Sequence, residues 1–494
     1  MSRSGIVSPA AVALGIATAL GAAGTMPASA ASPCDRALEQ LAARLADAAC
    51  FESADLTTNN PQTTPADNSI AGLPKFAFAP QSDRGFISPP AGVRAPVTKA
   101  VPGVQVQARI ADDPLGQARI VIRLPDDWNG GLVVAGSSGT RSEFNGDFAW
   151  SDWVVQRGYA YVSQNKGVYN LMPSAVSDPL ACRLNPSSGV WVHFYDDDPG
   201  QEFARWNRFM AEAAEIGRSS LEIRHGRKPE RTYAVGTSNG GYQVRRAVET
   251  APELFDGGVD WEGTTVDPAA PNLLTTMSAA VLNYPDYARS GYDPESAAYR
   301  NMRAAGFAPD LTVTSGGAVK SLWGLHFEQF WEVTQCQWQK RLDPGYDTYA
   351  AGTAAYRYAD RLGASPVAAN LAAFATTGAI HRPLVTVAGT LDAQLPIDVH
   401  ARAYARQVEA ARGRDGGGPA YRLYEVQNGN HIEAFVATFP QLQYLEPHVH
   451  RAFDLLTAHV EHGAPLPPSQ CIPTGAGIAA EPLQEGHCAA LLAP

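Results

Sequence analysis

The sequence predicts an α/β fold: a mostly parallel sheet with helices on both faces, interrupted by one long insertion. Three observations carry that reading. Short apolar runs such as LVVA at 132–135, TYAV at 232–235 and LVTVAG at 384–389 recur between helical segments, the pattern of strands buried on both faces. A pair of strand-like runs precedes the parallel strands, joined by an Asp112-Asp113-Pro114-Leu115-Gly116 turn. About a hundred residues, from Gly263 to Arg382, separate two buried runs, too many for an ordinary crossover.

Residues 34–50 (CDRALEQLAARLADAAC) carry apolar residues at helical spacing and predict a short N-terminal helix. Residues 51–103, rich in Pro, Thr, Asn and Ser, predict an irregular wrap over a larger body. Val104, Val106, Ala108 and Ile110 alternate with polar residues and form a hairpin with ARIVIRL at 118–124. LVVA (132–135) and YAYVS (159–163) follow as strands. The segment 202–224 sets Phe203, Trp206, Phe209, Met210 and Ala213 on one side, as a long helix would. TYAV leads into a helix from Gly240 to Glu249. GGVDW (257–261), LVTVAG (384–389) and RLYEV (422–426) complete the strands, and a helix at about 447–462 closes the set. A hairpin ahead of parallel strands suits an α/β-hydrolase core over 104–263 and 381–470, with a tail at 471–494. The insertion, 264–380, carries Trp323, Phe327, Phe330, Trp331 and Trp338 at roughly helical spacing. It reads as a mainly helical lid over the C-terminal edge of the sheet. Its rings either meet a substrate, with Trp323 and Trp331 as candidates, or pack the insertion's own core.

Composition narrows the function classes. Of 494 residues, 45% are hydrophobic and 18% charged, enough apolar material to exclude wholesale disorder. The formal net charge of -11 makes a nucleic-acid partner a poor fit. The first thirty residues have Arg3 as their only charge, an apolar stretch from Ala10 to about Ala23, and Ala28-Ser29-Ala30 as a small-x-small site. They read as a secretory signal peptide (1–30); the stretch is short and Ala/Gly-rich for a membrane anchor, and no later run is long enough to span. An oxidising compartment and six cysteines point to disulfides. Proximity favours Cys34–Cys50 and Cys471–Cys488, leaving Cys182–Cys336, among fifteen possible pairings. No CxxC and no His/Cys cluster has zinc spacing, so neither metal nor cofactor is expected.

The chemistry centres on RTYAVGTSNGG at 231–241. Gly236-Thr237-Ser238-Asn239-Gly240 fits G-x-S-x-G between a strand and a helix, the nucleophile-elbow arrangement. A serine hydroxyl is a weak nucleophile near neutral pH, so it needs a base and a group to orient that base. In this fold the acid and then the histidine follow the serine along the chain. Asp392 lies just past LVTVAG, whereas its competitor Asp398 falls in the expected next helix. His431 sits in the loop after RLYEV; His448, His450, His459 and His462 lie on or beside the final helix, and His326 is in the insertion. Asn239 N–H and the loop Gly136-Ser137-Ser138-Gly139, with Ser137 the chosen donor, would form the oxyanion hole. Glu262, after GGVDW, either binds substrate or is a salt-bridged structural acid.

The segments Ser238-Asn239-Gly240-Gly241, GTLDAQLP (389–396), EVQNGNHIEAF (425–435) and HVHRAFDLLTAHVEHGAPLPPSQ (448–470) resemble secreted 3-hydroxybutyrate oligomer hydrolases. That resemblance implies a serine esterase of the α/β-hydrolase superfamily, a triad of Ser238, Asp392 and His431, and short hydroxy-acid oligoesters as substrates. LPDDWNGGLVVAGSSG (124–139) and NLAAFATTG (370–378) are similar to the tannase and feruloyl esterase group, which implies aromatic esters as the alternative. That group carries linked cysteines beside its serine and histidine; Thr237 and Asn430 stand there in this chain, a departure that also removes the reason to expect that group's lid calcium. A non-catalytic polymer-binding protein on a hydrolase scaffold is the reading from a different class.

Overall fold

The computed structural model describes residues 32–66, 79–85, 87–114, 116–168, 171–172, 182–185, 191–192, 202–269, 271–346, 356–415, 417–483 and 486–488. The leader expected at 1–30 lies outside them. Helix α1 (Pro33–Leu41) starts at a capping box, in which Ser32 and Asp35 exchange side-chain and backbone hydrogen bonds. It stops well short of Cys50. Leu45–Ser53 is strand β1, antiparallel to β2 (Gly103–Ile110). The expected helix is thus half strand: the open edge of β2 offers unpaired backbone groups, and pairing with them outweighs the local helical preference of an Ala-rich stretch. The Cys34–Cys50 disulfide staples the two halves.

Residues 51–66 wrap without regular structure beyond β1, and α2 (Pro80–Asp83) is a single turn. A fully buried ion pair, Arg123–Asp147, ties the wrap down: Arg123 donates to Thr63 O, and Thr64 Oγ1 donates to Asp147. β3 (Arg119–Pro125) completes the antiparallel start. β4 (Gly131–Gly136), α3 (Asp152–Val155) and β5 (Ala160–Gln164) follow. Three two-residue strands, β6 (Leu171–Met172), β7 (Cys182–Arg183) and β8 (Trp191–Val192), form a separate small sheet. The main sheet then takes up β9 (Arg231–Thr237) and β10 (Gly257–Trp261), with α4 (Glu202–His225) before β9 and α5 (Asn239–Thr250) between them.

The insertion follows β10. It holds α6 (Leu273–Arg289), α7 (Ala297–Ala304), an antiparallel hairpin of β11 (Thr312–Ser315) and β12 (Ala318–Ser321), α8 (Leu322–His326), α9 (Glu332–Leu342), α10 (Tyr358–Arg361) and α11 (Val367–Ala372). β13 (Leu384–Gly389), α12 (Ala401–Asp415), β14 (Tyr421–Val426), α13 (Glu446–His462) and β15 (Gln470–Ile472) return to the core. The boundary expected at 470/471 therefore cuts through a strand: three residues were too few to show a period, yet they pair in parallel with β14. Cys471–Cys488 closes the tail over this edge.

The ten-stranded sheet runs β1-β2-β3-β5-β4-β9-β10-β13-β14-β15, parallel from β5 onward. Side chains alternate across it. Leu132 and Val134 pack with Phe209 and Met210 of α4 and Val244 of α5; Val133 and Ala135 pack on the other face with Trp150, Val449 and Phe453. The chain order reverses between β4 and β9. In an open parallel sheet the crevice at such a reversal, beyond the C-terminal ends of the strands, is where ligands bind. Among the described residues no helix is long and apolar enough to cross a membrane.

Candidate active site

The site begins with backbone strain. β9 ends at Thr237, α5 begins at Asn239, and Ser238 between them takes φ 60° and ψ -119°. A left-handed φ is costly for a residue with a side chain and persists only where its surroundings enforce it. Here Ser238 N–H donates to Trp261 O (2.9 Å), and Ser238 O accepts from Tyr242 N–H (3.0 Å). The glycine after Asn239 allows the close approach: a Cβ on Gly240 would fall 2.1 Å from Gly136 O. Gly240→Ala is therefore expected to destabilise the protein by about 1–3 kcal/mol, read as a lower urea midpoint at unchanged m; an unchanged midpoint would show that α5 has slack against β4.

Asp392 follows β13 and His431 follows β14. Asp392 Oδ1 accepts two backbone N–H groups, from Gln394 and Leu395, each at 2.7 Å. Its Oδ2 lies 2.8 Å from His431 Nδ1. This contact puts the proton on Nδ1 and leaves Nε2 to act on something else. Neighbouring bonds hold the histidine loop: Leu391 N–H donates to Gly429 O (2.8 Å) and Asn428 N–H to Thr390 Oγ1 (2.9 Å). The Asn430 amide, turned to satisfy all its neighbours, donates to Leu391 O (3.0 Å) and His326 Nε2 (3.2 Å) and accepts from His431 N–H (3.2 Å) and Ile432 N–H (3.1 Å). Asp398 sits in the turn ahead of α12 rather than inside a helix and pairs with Arg402 at 2.9 Å, away from the imidazole.

Ser238, Asn239 and His431 line one cavity of about 210 Å³. Leu273, Phe330, Val333, Trp338 and Leu395 give it apolar walls, and Gln329 and Thr334 add polar groups. Ser138 and Gly139 line it too, whereas Ser137 does not. Ser137 turns its carbonyl (2.6 Å) and hydroxyl (2.8 Å) to Lys166 Nζ, and Ser138 N–H is taken by Asn145 Oδ1 (3.1 Å). Ser137 O, Ser138 O and Lys166 thus fasten the back of the loop, and Gly139 presents its cavity side. Burial pushes the Lys166 amine well below its ordinary range.

The other sequence candidates stand elsewhere. Trp323 is buried against Tyr287, Tyr299 and Phe307, with centroids 5.2 to 6.2 Å away. Trp331 packs on Tyr284 and Phe307, and its Nε1–H donates to Ala393 O at 2.8 Å. Both belong to an apolar core that the insertion shares with Phe203 and Trp206 of α4, and neither lines the cavity; helical spacing places a ring on a stripe but does not say which neighbour covers it. Among the described residues, Phe330 and Trp338 are the insertion's rings that line the cavity. Glu262 is buried behind the cavity, 3.5 Å from His431 Nδ1. Ligand atoms of Glu262, Asp392 and His431 lie within 4.8 Å of one another. The Asp392 and His431 contacts are those of a hydrogen-bonded acid–imidazole pair, which accounts for the cluster without an ion. Sequence reasoning gave no role to Lys166, and it noted Asn430 and His326 without assigning them one; the signal for Lys166 was a lysine three residues past the strand-like run at 159–163. Burial lowers His326 to about 4, so it is a neutral hydrogen-bond partner.

A strained serine at the strand–helix bend, an acid and a histidine after two later strands, and this strand order together define the α/β-hydrolase class. Residues 343–493 match the model of the family described as 3HB-oligomer hydrolase (3HBOH). The match covers Asp392 and His431; Ser238 lies upstream of it. D-(-)-3-hydroxybutyrate oligomer hydrolases of Burkholderia mallei (strain SAVP1) and Burkholderia pseudomallei (strain K96243) are each 37% identical over 100 residues, 19% of this chain. The chain spans only 13% of the length of these curated relatives in that match. Among solved structures, similarity is found to feruloyl esterase B from Aspergillus oryzae (13% identity, TM-score 0.45, 77% of this chain and 84% of that one). It is also found to tannin acyl hydrolase from Aspergillus niger (12% identity, TM-score 0.45, 86% and 92%).

Proposed function

We propose that the chain is a secreted serine carboxylic-ester hydrolase acting on short hydroxy-acid oligoesters such as 3-hydroxybutyrate oligomers. The observation that carries this reading is a strained Ser238 lining the same cavity as a His431 whose far nitrogen is held by Asp392. Ser238 Oγ attacks the ester carbonyl carbon, and its proton passes to His431 Nε2. Asp392 keeps the ring in the required tautomer and stabilises the imidazolium. The negative oxygen of the tetrahedral intermediate is met by Asn239 N–H, in the first turn of α5 where N–H groups have no intrahelical partner, and by an N–H from the 137–139 loop. The carbon–oxygen bond to the leaving alcohol breaks, and the alcohol takes the proton from Nε2. Water then gives a proton to His431 as its oxygen attacks the acyl carbon; the acyl–Oγ bond breaks, His431 returns the proton to Ser238 Oγ, and the acid leaves.

Secretion is supported by three disulfides, Cys34–Cys50, Cys182–Cys336 and Cys471–Cys488, which persist in oxidising compartments. The oligoester preference rests on the family match over 343–493 together with a cavity whose exposed lining is mainly apolar and which also carries polar side chains such as Arg141, Gln329, Thr334 and Gln394. The test is product analysis on 3-hydroxybutyrate dimers and trimers beside methyl ferulate. Conversion of the oligomers to monomer at the higher kcat/KM is the expected result. Preference for methyl ferulate would overturn the substrate assignment in favour of an aromatic ester hydrolase, and binding without turnover of any ester would favour a polymer-binding protein.

A further inference from the structure

Glu262 follows Trp261 at the end of β10 and takes φ 52°, a left-handed backbone for a residue with a long side chain. Its side chain is buried. Its N–H donates to Val387 O (2.9 Å), and its Oε1 accepts from Gly389 N–H (3.1 Å), so the residue is pinned between β10 and β13. Oε2 makes no hydrogen bond among the described residues. It lies 3.5 Å from His431 Nδ1, the nitrogen that Asp392 Oδ2 holds at 2.8 Å.

Two carboxyl groups therefore address one imidazole nitrogen, and they are not equivalent. Asp392 has two backbone N–H donors on Oδ1 and the imidazole on Oδ2; Glu262 has one donor, on Oε1. Two buried like charges this close disfavour each other, and the less hydrogen-bonded one keeps its proton. Burial and the Asp392 charge push the Glu262 carboxyl well above its ordinary range. The other groups facing it are Asp260 on β10, paired with Arg245, and Glu433 beyond His431. His326 and His400, near Asp392 and His431, are lowered by burial to about 4 and about 3 and carry no charge at neutral pH. Packing alone requires only an acceptor for Gly389 N–H, which an amide would supply. A carboxyl with its second oxygen unpaired beside the imidazole does more than packing needs.

We propose that Glu262 is a positioning residue for His431, a second acid at Nδ1 that takes over orientation of the ring when Asp392 cannot provide it. This rests on the triad reading above. The test uses the full chain and p-nitrophenyl butyrate. Glu262→Gln keeps the bond to Gly389 and is expected to lower kcat measurably but by less than about tenfold. Asp392→Ala is expected to lose about 10²-fold in kcat rather than the roughly 10⁴-fold typical of a lone triad acid, with KM little changed. Its residual activity should rise with pH as Glu262 ionises. The double variant should lose about a further 10²-fold and the rise with pH. Glu262→Gly, which suits φ 52°, serves in the double variant if the glutamine form does not fold. The proposal is overturned if Asp392→Ala alone falls about 10⁴-fold and the second change adds nothing. It is also overturned if the rise with pH survives in the double variant, or if Glu262→Gln alone costs more than tenfold. Full activity in Ser238→Ala would instead defeat the triad reading itself, a separate outcome.

Discussion

Ser238→Ala is expected to lower kcat on p-nitrophenyl butyrate by about 10⁶-fold, the loss seen when a serine nucleophile is removed. KM and the melting temperature should stay close to those of the parent. The first expectation follows from the covalent step: without Oγ no acyl-enzyme forms, and the cavity, Asn239 N–H and His431 are left to assist water alone. The second follows from the backbone. Position 238 already bears a side chain at φ 60°, so alanine meets the same strain as serine, and no side-chain capping bond from Ser238 to α5 is lost. Steady-state kinetics and a thermal melt on the same preparation decide it. A variant that keeps a tenth of the parent's turnover would remove Ser238 from the chemistry.

Arg245→Leu is expected to cost about 3–5 kcal/mol of stability, the scale for stripping one partner from a buried ion pair. Arg245 on α5 donates to Asp260 Oδ2 (2.6 Å) and Thr265 Oγ1 (2.7 Å), and both side chains of the pair are fully buried. Asp260 also accepts from Thr386 Oγ1 (2.8 Å) and Gly263 N–H (2.7 Å). This one carboxylate therefore joins α5, β10, β13 and the turn that carries Glu262. Leucine would leave it charged, buried and short of its cation. Urea denaturation should show the loss as a lower midpoint at unchanged m. Adding Asp260→Asn to the leucine variant should recover part of it, because the uncompensated charge is then gone. A loss below about 1 kcal/mol in the single variant would mean that the hydrogen bonds to Asp260, not the cation, carry the turn.

The strands were legible where burial on both faces makes a run almost wholly apolar. LVVA, TYAV and LVTVAG fall within β4, β9 and β13. The bend at Ser238 was legible because its chemistry is local: a glycine on each side, a strand before, a helix after. Residues 45–53 were misread because an Ala-rich edge strand has helical propensity and is held by β2, whose partner cannot be read from spacing. Periodicity left Trp323 and Trp331 open between a substrate and packing within the insertion; both rings are buried away from the cavity, while Phe330 and Trp338 reach it. Ser137 belongs to a loop of four small residues that spacing does not tell apart, and its carbonyl and hydroxyl contacts with Lys166, beyond the next strand, are not legible in that spacing.

From the order of residues alone come the alternating elements, the serine at its glycine-flanked bend, and an acid and a histidine each placed just after a buried strand. All of these are local patterns, set by side-chain periodicity and by which residues a tight turn admits. Tertiary structure decided which groups meet: Asp392 with His431, Glu262 behind the same nitrogen, Lys166 beneath the 137–138 carbonyls, Trp331 on Ala393. Those contacts join residues from 28 to 169 positions apart. They depend on the register and order of a ten-stranded sheet, which no stretch of sequence encodes by itself.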